Sequence, residues 1–128
     1  MPRPMHFEIE AGVPERAMKF YGELFGWTFK QWGEEPYWLV TTGDPKAPGI
    51  DGGLMARRGA GPEGAQPVNA FVCIVDVPDI DAALARVVEL GGTITVPKVA
   101  VPTVGWLGYG KDPEGNVFGM MRMDESAR

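Results

Sequence analysis

The chain contains a single histidine, His6, which stands two residues before the glutamate Glu8. Residues 5–10 alternate between apolar and polar types, and this predicts a β-strand with Phe7 and Ile9 on one face and His6 and Glu8 on the other. A histidine in such a place can act as a general base or as a polar contact for a ligand. A strand histidine that is hydrogen-bonded to a neighbour is the simpler interpretation. Glu8 either anchors a cationic or hydroxyl group of a ligand or faces water.

The segment that carries these residues occurs twice. Residues 6–27, HFEIEAGVPERAMKFYGELFGW, predict a strand, a helix begun by proline, a glycine stop and the opening of a further strand. Residues 70–92, AFVCIVDVPDIDAALARVVELGG, repeat that order, with Ala70 in the place of His6. The two turns DPKAPG and DPEG also correspond. The pattern predicts an α+β fold of two βαβββ modules with pseudo-twofold symmetry.

One domain is expected for the whole chain, residues 1–128, since this length suffices for a core of its own. Module one is predicted at 1–57 and module two at 68–128. The connector between them, 58–67, reads RGAGPEGAQP and contains little apolar content. In each predicted helix an apolar stripe is expected to face the core; in the first it comprises Ala17, Phe20, Tyr21, Leu24 and Phe25.

Composition narrows the function. The formal net charge is −5, without a lysine and arginine cluster, and this argues against a nucleic-acid or anionic-membrane partner. The single cysteine, Cys73, fits a reducing cytosol and is expected to be an inert thiol in an apolar strand. No apolar run reaches the length of a membrane span, and MPRPMHF lacks a signal-peptide core. A cytoplasmic protein is therefore expected.

Three stretches carry a family resemblance: HFEI at 6–9, FYGELFGW at 20–27 and KDPEGNVFG at 111–119. With these the chain resembles the vicinal oxygen chelate superfamily, which includes glyoxalase I, extradiol dioxygenases and bleomycin-resistance proteins. The resemblance implies a curved mixed sheet built by both modules around one shared cavity, with the helices outside. It also permits a homodimer, with modules paired within a chain or exchanged between chains.

Metal-dependent members of that superfamily hold a divalent ion through four ligands, from the first and last strands of each module. His6 matches one of these positions. The others fall on Ala70, Gly53 and Gly119, none of which offers a ligand atom from its side chain. The usual metal site is therefore predicted to be absent, and no cofactor is expected. The alternative is a displaced divalent-metal site formed by His6, Glu8 and Asp51.

The resemblance also indicates which residues line the cavity. Gly53 and Gly119 are expected to leave space for a bulky ligand, and Met121 to form an adaptable part of the cavity wall. Trp38 and Trp106 are expected to form an aromatic wall unless they pack in the core. Met120 and Phe118 alternate with Gly119 and Met121 on the last strand, so they are expected to face the other side and pack under the helices. The predicted ligand-binding residues are Trp38, Asp51, Gly53, Trp106, Gly119 and Met121.

The sequence thus predicts a protein that binds a small organic molecule, with His6 and Glu8 as its catalytic candidates. One alternative is a metal-dependent lyase or dioxygenase at the displaced site. The other is a protein that sequesters a drug or metabolite without catalysis, as bleomycin-resistance proteins do.

Overall fold

A computed structural model describes residues 2–59, 71–114 and 116–128, and it confirms an α+β fold of eight strands and two helices. In chain order the elements are β1 (Pro4–Ala11), α1 (Pro14–Phe25), β2 (Thr28–Gln31), β3 (Tyr37–Thr41), β4 (Gly52–Ala56), β5 (Val72–Asp76), α2 (Ile80–Glu89), β6 (Thr93–Val101), β7 (Gly105–Lys111) and β8 (Val117–Met123). The βαβββ order therefore occurs twice, as the sequence predicts. β6, with nine residues, is the longest of these strands.

The chain divides into two compact units, and His6–Phe71 forms one of them. Its strands lie in the order β2-β3-β4-β1, with β1 parallel to β4 and the other neighbours antiparallel. In this register Gly53 lies between Glu8 on one side and Leu39 on the other. The parallel pair needs a crossover, which α1 and the next two strands provide.

The other unit comprises Met1–Met5 and Val72–Arg128. Its strand order is β5-β8-β7-β6, again with one parallel pair, β5 with β8, and antiparallel pairs beyond it. Gly119 lies between Ile74 and Tyr109 in this register. The single-domain assignment, the pseudo-twofold symmetry and the module boundaries stay predictions. Most of the predicted connector and the predicted counterpart of His6, Ala70, lie outside the described residues.

The local sequence explains where α1 begins and ends. Pro14 occupies the start of the helix, where its missing N–H costs nothing, and Glu15 places a negative charge in the first turn. Gly26 ends the helix with φ 76°, a left-handed conformation that glycine adopts without strain, and its N–H donates to the Gly22 carbonyl. The predicted helix and its glycine stop are both confirmed.

The predicted apolar stripe on α1 is only partly correct. Ala17, Met18 and Tyr21 pack against the core of their unit. Phe20, Leu24 and Phe25, in contrast, are each more than half exposed. The contact face is therefore narrower than the stripe and includes Met18.

Each unit has its own apolar cluster. In the first the buried members are Phe7, Ile9, Ala11, Val40 and Leu54. In the second they are Val77, Ile80 and Met120, with Phe118 and the apolar residues of α2 packed around them, which confirms the predicted place of Met120 and Phe118. Cys73 does not follow its prediction, because its side chain is exposed rather than in a core. The described residues contain no helix long and apolar enough to cross a membrane.

Replacing Leu54 by alanine should test the core of the first unit. Leu54 is fully buried on β4, so Leu54→Ala should lower the free energy of unfolding by about 3 kcal/mol, measured by denaturant titration. Leu39→Ala on the adjacent strand is the matched control. That leucine is 40% exposed, so its replacement should lower the free energy of unfolding by clearly less. A Leu54→Ala cost no larger than the control would contradict this description of the core.

Candidate functional site

The two residues with the clearest chemical potential lie on one face of β1. His6 and Glu8 are separated by one residue, and successive side chains of a strand alternate between faces, so both project from the same side. The neighbouring strand β4 brings Gly53 level with Glu8. Beyond it, β3 carries Tyr37, whose side chain reaches across β4 toward β1.

A chain of hydrogen bonds joins these residues. The Nε2 atom of His6 lies 2.8 Å from the Tyr37 hydroxyl, and that hydroxyl donates to Oε2 of Glu8 at 3.1 Å. The Glu8 side chain is buried, with 8% of its surface exposed, whereas His6 is half-buried. A buried carboxylate requires such donors, because an unpaired one would be costly. The alternative in which Glu8 faces water is therefore wrong. His6 does bond a neighbour, and a role of either residue toward a ligand stays a prediction.

Gly53 is what allows the tyrosine to reach this place. A Cβ atom added at Gly53 would run into the hydroxyl oxygen and the Cζ atom of Tyr37 and would lie 2.6 Å from Cε1. Side chains larger than hydrogen are therefore incompatible with the observed position of the phenol. The space that Gly53 leaves is occupied by the protein's own tyrosine.

Burial controls the ionisation of Tyr37 and His6. It raises the pKa of Tyr37 well above its usual range, and the charge of Glu8 and the hydrogen bond to it act in the same direction. The phenol therefore keeps its proton at physiological pH. Burial also lowers the pKa of His6 below 6.5, although the negative charges of Glu8 and Asp51 partly oppose this. His6 is therefore neutral at pH 7 and can accept a proton.

Asp51 is close enough to influence His6 electrostatically, but its carboxylate is engaged elsewhere. Its Oδ1 atom accepts hydrogen bonds from the Thr42 N–H at 2.8 Å and from the Thr42 hydroxyl at 3.1 Å. Within residues 2–59, 71–114 and 116–128, no three histidine, cysteine, aspartate or glutamate side chains form a group that could hold a metal ion. His6, Glu8 and Asp51 thus do not come together as the displaced site requires.

The two predicted wall tryptophans pack with the apolar clusters. Trp38 lies against the cluster that contains Val40 and Leu54, and Trp106 against the one that contains Met120. The Trp106 indole N–H also donates to Asp124 Oδ2 at 3.2 Å. Their predicted contact with a ligand stays a prediction, as does that of Asp51.

Gly119 on β8 resembles Gly53 in what surrounds it. A Cβ atom there would meet Cδ1 of Ile74 and would lie 2.9 Å from Cε1 of Tyr109. Met121, two residues further along the strand, is half-buried. The space at each glycine is thus filled by protein side chains, and direct contacts of Gly53, Gly119 and Met121 with a ligand stay predictions.

Tyr37 is the site residue that sequence reasoning missed. The sequence does contain a signal for it. Alternation places Tyr37 and Leu39 on the same face of β3, and Leu39 is the residue that pairs with Gly53. A glycine leaves room for the ring of a tyrosine on the neighbouring strand to lie over it. Such a contact can be predicted only once the strand pairing and its register are known.

Comparison with known proteins identifies the family. The model of the Glyoxalase/Bleomycin resistance protein/Dioxygenase superfamily matches residues 3–120. The chain belongs to this superfamily. The superfamily resemblance that the HFEI and KDPEGNVFG stretches indicate is therefore confirmed.

Two curated proteins are similar to this chain in sequence. The proteins named "Putative glyoxylase CFP32" from Mycobacterium bovis and Mycobacterium tuberculosis are each 28% identical over 122 residues, which is 91% of this chain. The chain spans 44% of the length of each, less than half.

Solved structures agree on the fold. A glyoxalase/bleomycin resistance protein/dioxygenase superfamily member from Vibrio splendidus has a TM-score of 0.64 at 17% identity, covering 95% of this chain and 99% of that one. Methylmalonyl-CoA epimerase from Mycobacterium tuberculosis has 0.62 at 13% identity, covering 94% and 87%. A methylmalonyl-CoA epimerase in complex with methylmalonyl-CoA and NH4+ has 0.63 at 14% identity, covering 98% and 99%. Such low identities show a shared fold alone.

The residues of this chain do not fit the four-ligand metal site that the resemblance to the superfamily implies. His6 supplies a nitrogen ligand, but its Nε2 atom bonds Tyr37. At Gly53 the ligand position carries no side chain, and a carboxylate introduced there would collide with the phenol. Gly119 and Ala70 provide no donor atom either.

The lowered pKa of His6 predicts how stability depends on pH. The unfolded chain binds a proton at His6 near pH 6.5, whereas the folded protein does so only at lower pH. The free energy of unfolding should therefore fall as pH decreases through about 6.5. Denaturant titrations between about pH 7.5 and 5.5 measure this slope.

His6→Gln is the matched control, because it removes the one histidine of the chain. The variant should show a flatter dependence over the same range. A wild-type slope of opposite sign, or a slope unchanged in His6→Gln, would contradict the lowered pKa.

Proposed function

We propose that the protein binds a small organic molecule at His6 and Glu8 and that His6 acts there as a general base without a metal ion. The observation that carries this proposal is the hydrogen-bonded chain from His6 through Tyr37 to the buried Glu8. It holds the imidazole in one orientation and leaves its other nitrogen, Nδ1, for a ligand. No described residue forms a hydrogen bond with Nδ1.

The protonation states support a base rather than an acid. A neutral imidazole at pH 7 can take a proton from a ligand, and the lowered pKa of His6 keeps it neutral. The imidazolium that results would be stabilised by the negative charge of Glu8, transmitted through the Tyr37 hydroxyl. Glu8 thus supports the base without contacting the reacting atoms.

The local charge favours certain ligands. Both Glu8 and Asp51 act on His6 with negative charge. A ligand that offers a hydroxyl, an amine or another proton donor to His6 would meet a favourable potential, whereas a carboxylate placed against His6 would be repelled. The ligand group that faces His6 is thus a neutral or cationic proton donor.

The similar proteins suggest the first compounds to test. One of the solved epimerases carries methylmalonyl-CoA, and the superfamily name includes bleomycin resistance. Coenzyme A thioesters and cationic glycopeptide drugs therefore belong in an initial screen. Binding without turnover would favour the sequestering alternative, because a general base requires a chemical change in its ligand.

A ligand screen by thermal shift tests the proposal. A compound present at about 100 times its Kd stabilises the folded state by about 2.7 kcal/mol and should raise Tm by roughly 10 °C in a protein of this size. His6→Ala should abolish the shift because it removes the proposed contact. Glu10→Ala is the matched control, since Glu10 lies exposed on the same strand and should leave the shift unchanged.

Two results would count against the proposal. One is a ligand whose thermal shift and turnover survive His6→Ala. The other is a library of neutral and cationic small molecules, tested with the methylmalonyl-CoA and bleomycin probes, in which no compound raises Tm.

Metal content distinguishes the proposal from the metal-dependent lyase or dioxygenase. Protein purified without chelators should contain far less than one equivalent of Ni²⁺, Zn²⁺ or Mn²⁺, because His6 alone cannot hold such an ion. Elemental analysis and metal titration by calorimetry give the stoichiometry. One equivalent of metal that is lost in His6→Ala would overturn the metal-free proposal.

A further inference from the structure

We propose that Tyr37 is a positioning residue, which takes the space vacated by Gly53 and fixes the neutral His6 ring as the Nε2–H tautomer, with the lone pair of Nδ1 directed to the ligand. The first two parts concern the protein alone. The last part rests on the proposed function, since it assumes that a ligand meets Nδ1.

The number of protons available to the hydrogen bonds among His6, Tyr37 and Glu8 assigns the tautomer of His6. A phenol has one proton, and Tyr37 donates it to Oε2 of Glu8. The hydroxyl oxygen and Nε2 of His6 are 2.8 Å apart and are hydrogen-bonded. Because the phenol proton is already donated to Glu8, the oxygen can only accept in this second bond. Nε2 of His6 must therefore carry the hydrogen. A neutral imidazole has a single N–H, so Nδ1 is an acceptor.

The reverse order of donors is disfavoured by the same groups. If Tyr37 donated to His6, the hydroxyl oxygen would face the Glu8 carboxylate without a proton between them. Two acceptor oxygens 3.1 Å apart repel each other in a buried place. The raised pKa of Tyr37 also excludes a phenolate at neutral pH.

The position of the phenol is fixed on two sides. On one side, the missing side chain of Gly53 admits the ring next to the backbone of β4. On the other, Trp32 packs edge-on against the Tyr37 ring, with 6.1 Å between the ring centroids and 79° between the planes. With the ring held in this way, the hydroxyl remains between His6 and Glu8 and can orient the imidazole.

Nitrogen-15 NMR of the ligand-free full chain tests this assignment, and the single histidine leaves no ambiguity about the source of its ring signals. We expect Nδ1 to have the chemical shift of an unprotonated ring nitrogen and Nε2 that of a protonated one. The Nε2–H proton should exchange slowly with water because it is hydrogen-bonded. A wild-type ring protonated at Nδ1 would overturn the proposal without any variant.

Variants then separate positioning from mere packing. Tyr37→Phe keeps the ring and removes the hydroxyl, so it should abolish the slowly exchanging N–H signal and move both nitrogen shifts toward the average of two tautomers. Gly53→Ala should do the same, because the added methyl group displaces the phenol. Tyr21→Phe is the matched control, since Tyr21 packs among aromatic rings of α1 and should leave the histidine signals unchanged. Unchanged signals in Tyr37→Phe, or in Gly53→Ala should Tyr37→Phe not fold, would refute the role of Tyr37.

These measurements need no ligand, so their outcome is separate from that of the proposed function. The expected tautomer together with an unsuccessful ligand screen would leave Tyr37 as a positioning residue and reject the ligand-binding role of His6. A ligand whose binding depends on His6, together with the opposite tautomer, would retain the function and reject the inference.

Discussion

The buried carboxylate of Glu8 is the constraint on which the site depends. Glu8 as a whole is only 8% exposed, so its charge has to be stabilised by donors, and the Tyr37 hydroxyl provides one at 3.1 Å. That requirement explains why Tyr37 is drawn across β4, why Gly53 lacks a side chain and how the orientation of His6 is set. Removing Tyr37 would take this donor from Glu8 and the hydrogen-bond partner from Nε2 of His6.

Much of the fold could be predicted from the sequence because its signals are local. Pro14 and Gly26 mark the ends of α1, and the alternation in β8 places Met120 and Phe118 toward the core. The exposed side of α1 was not foreseen, since Phe20 and Leu24 have the character of core residues while their burial depends on which elements lie nearby. Tertiary context also decides the exposure of Cys73.

The candidate site was predicted only in part, for a similar reason. His6 and Glu8 are neighbours in sequence, so alternation sufficed to place them on one face. Tyr37 is 31 residues from His6, and the contact depends on the register of β3 against β4 and of β4 against β1. Register over two strand pairs cannot be derived from local patterns. The sequence does not predict the burial of Glu8 either. A glutamate is rarely buried unless it is paired, and its partner Tyr37 depends on the same register.

The overlap between Tyr37 and a side chain at position 53 restricts the order in which this sequence can change. Any replacement of Gly53 collides with the phenol in its observed position, so the tyrosine has to be displaced or lost. Loss of the tyrosine, however, leaves Glu8 without that donor. A change between this arrangement and one with a carboxylate at position 53 therefore passes through a destabilised intermediate sequence, and the two positions are expected to vary together rather than singly.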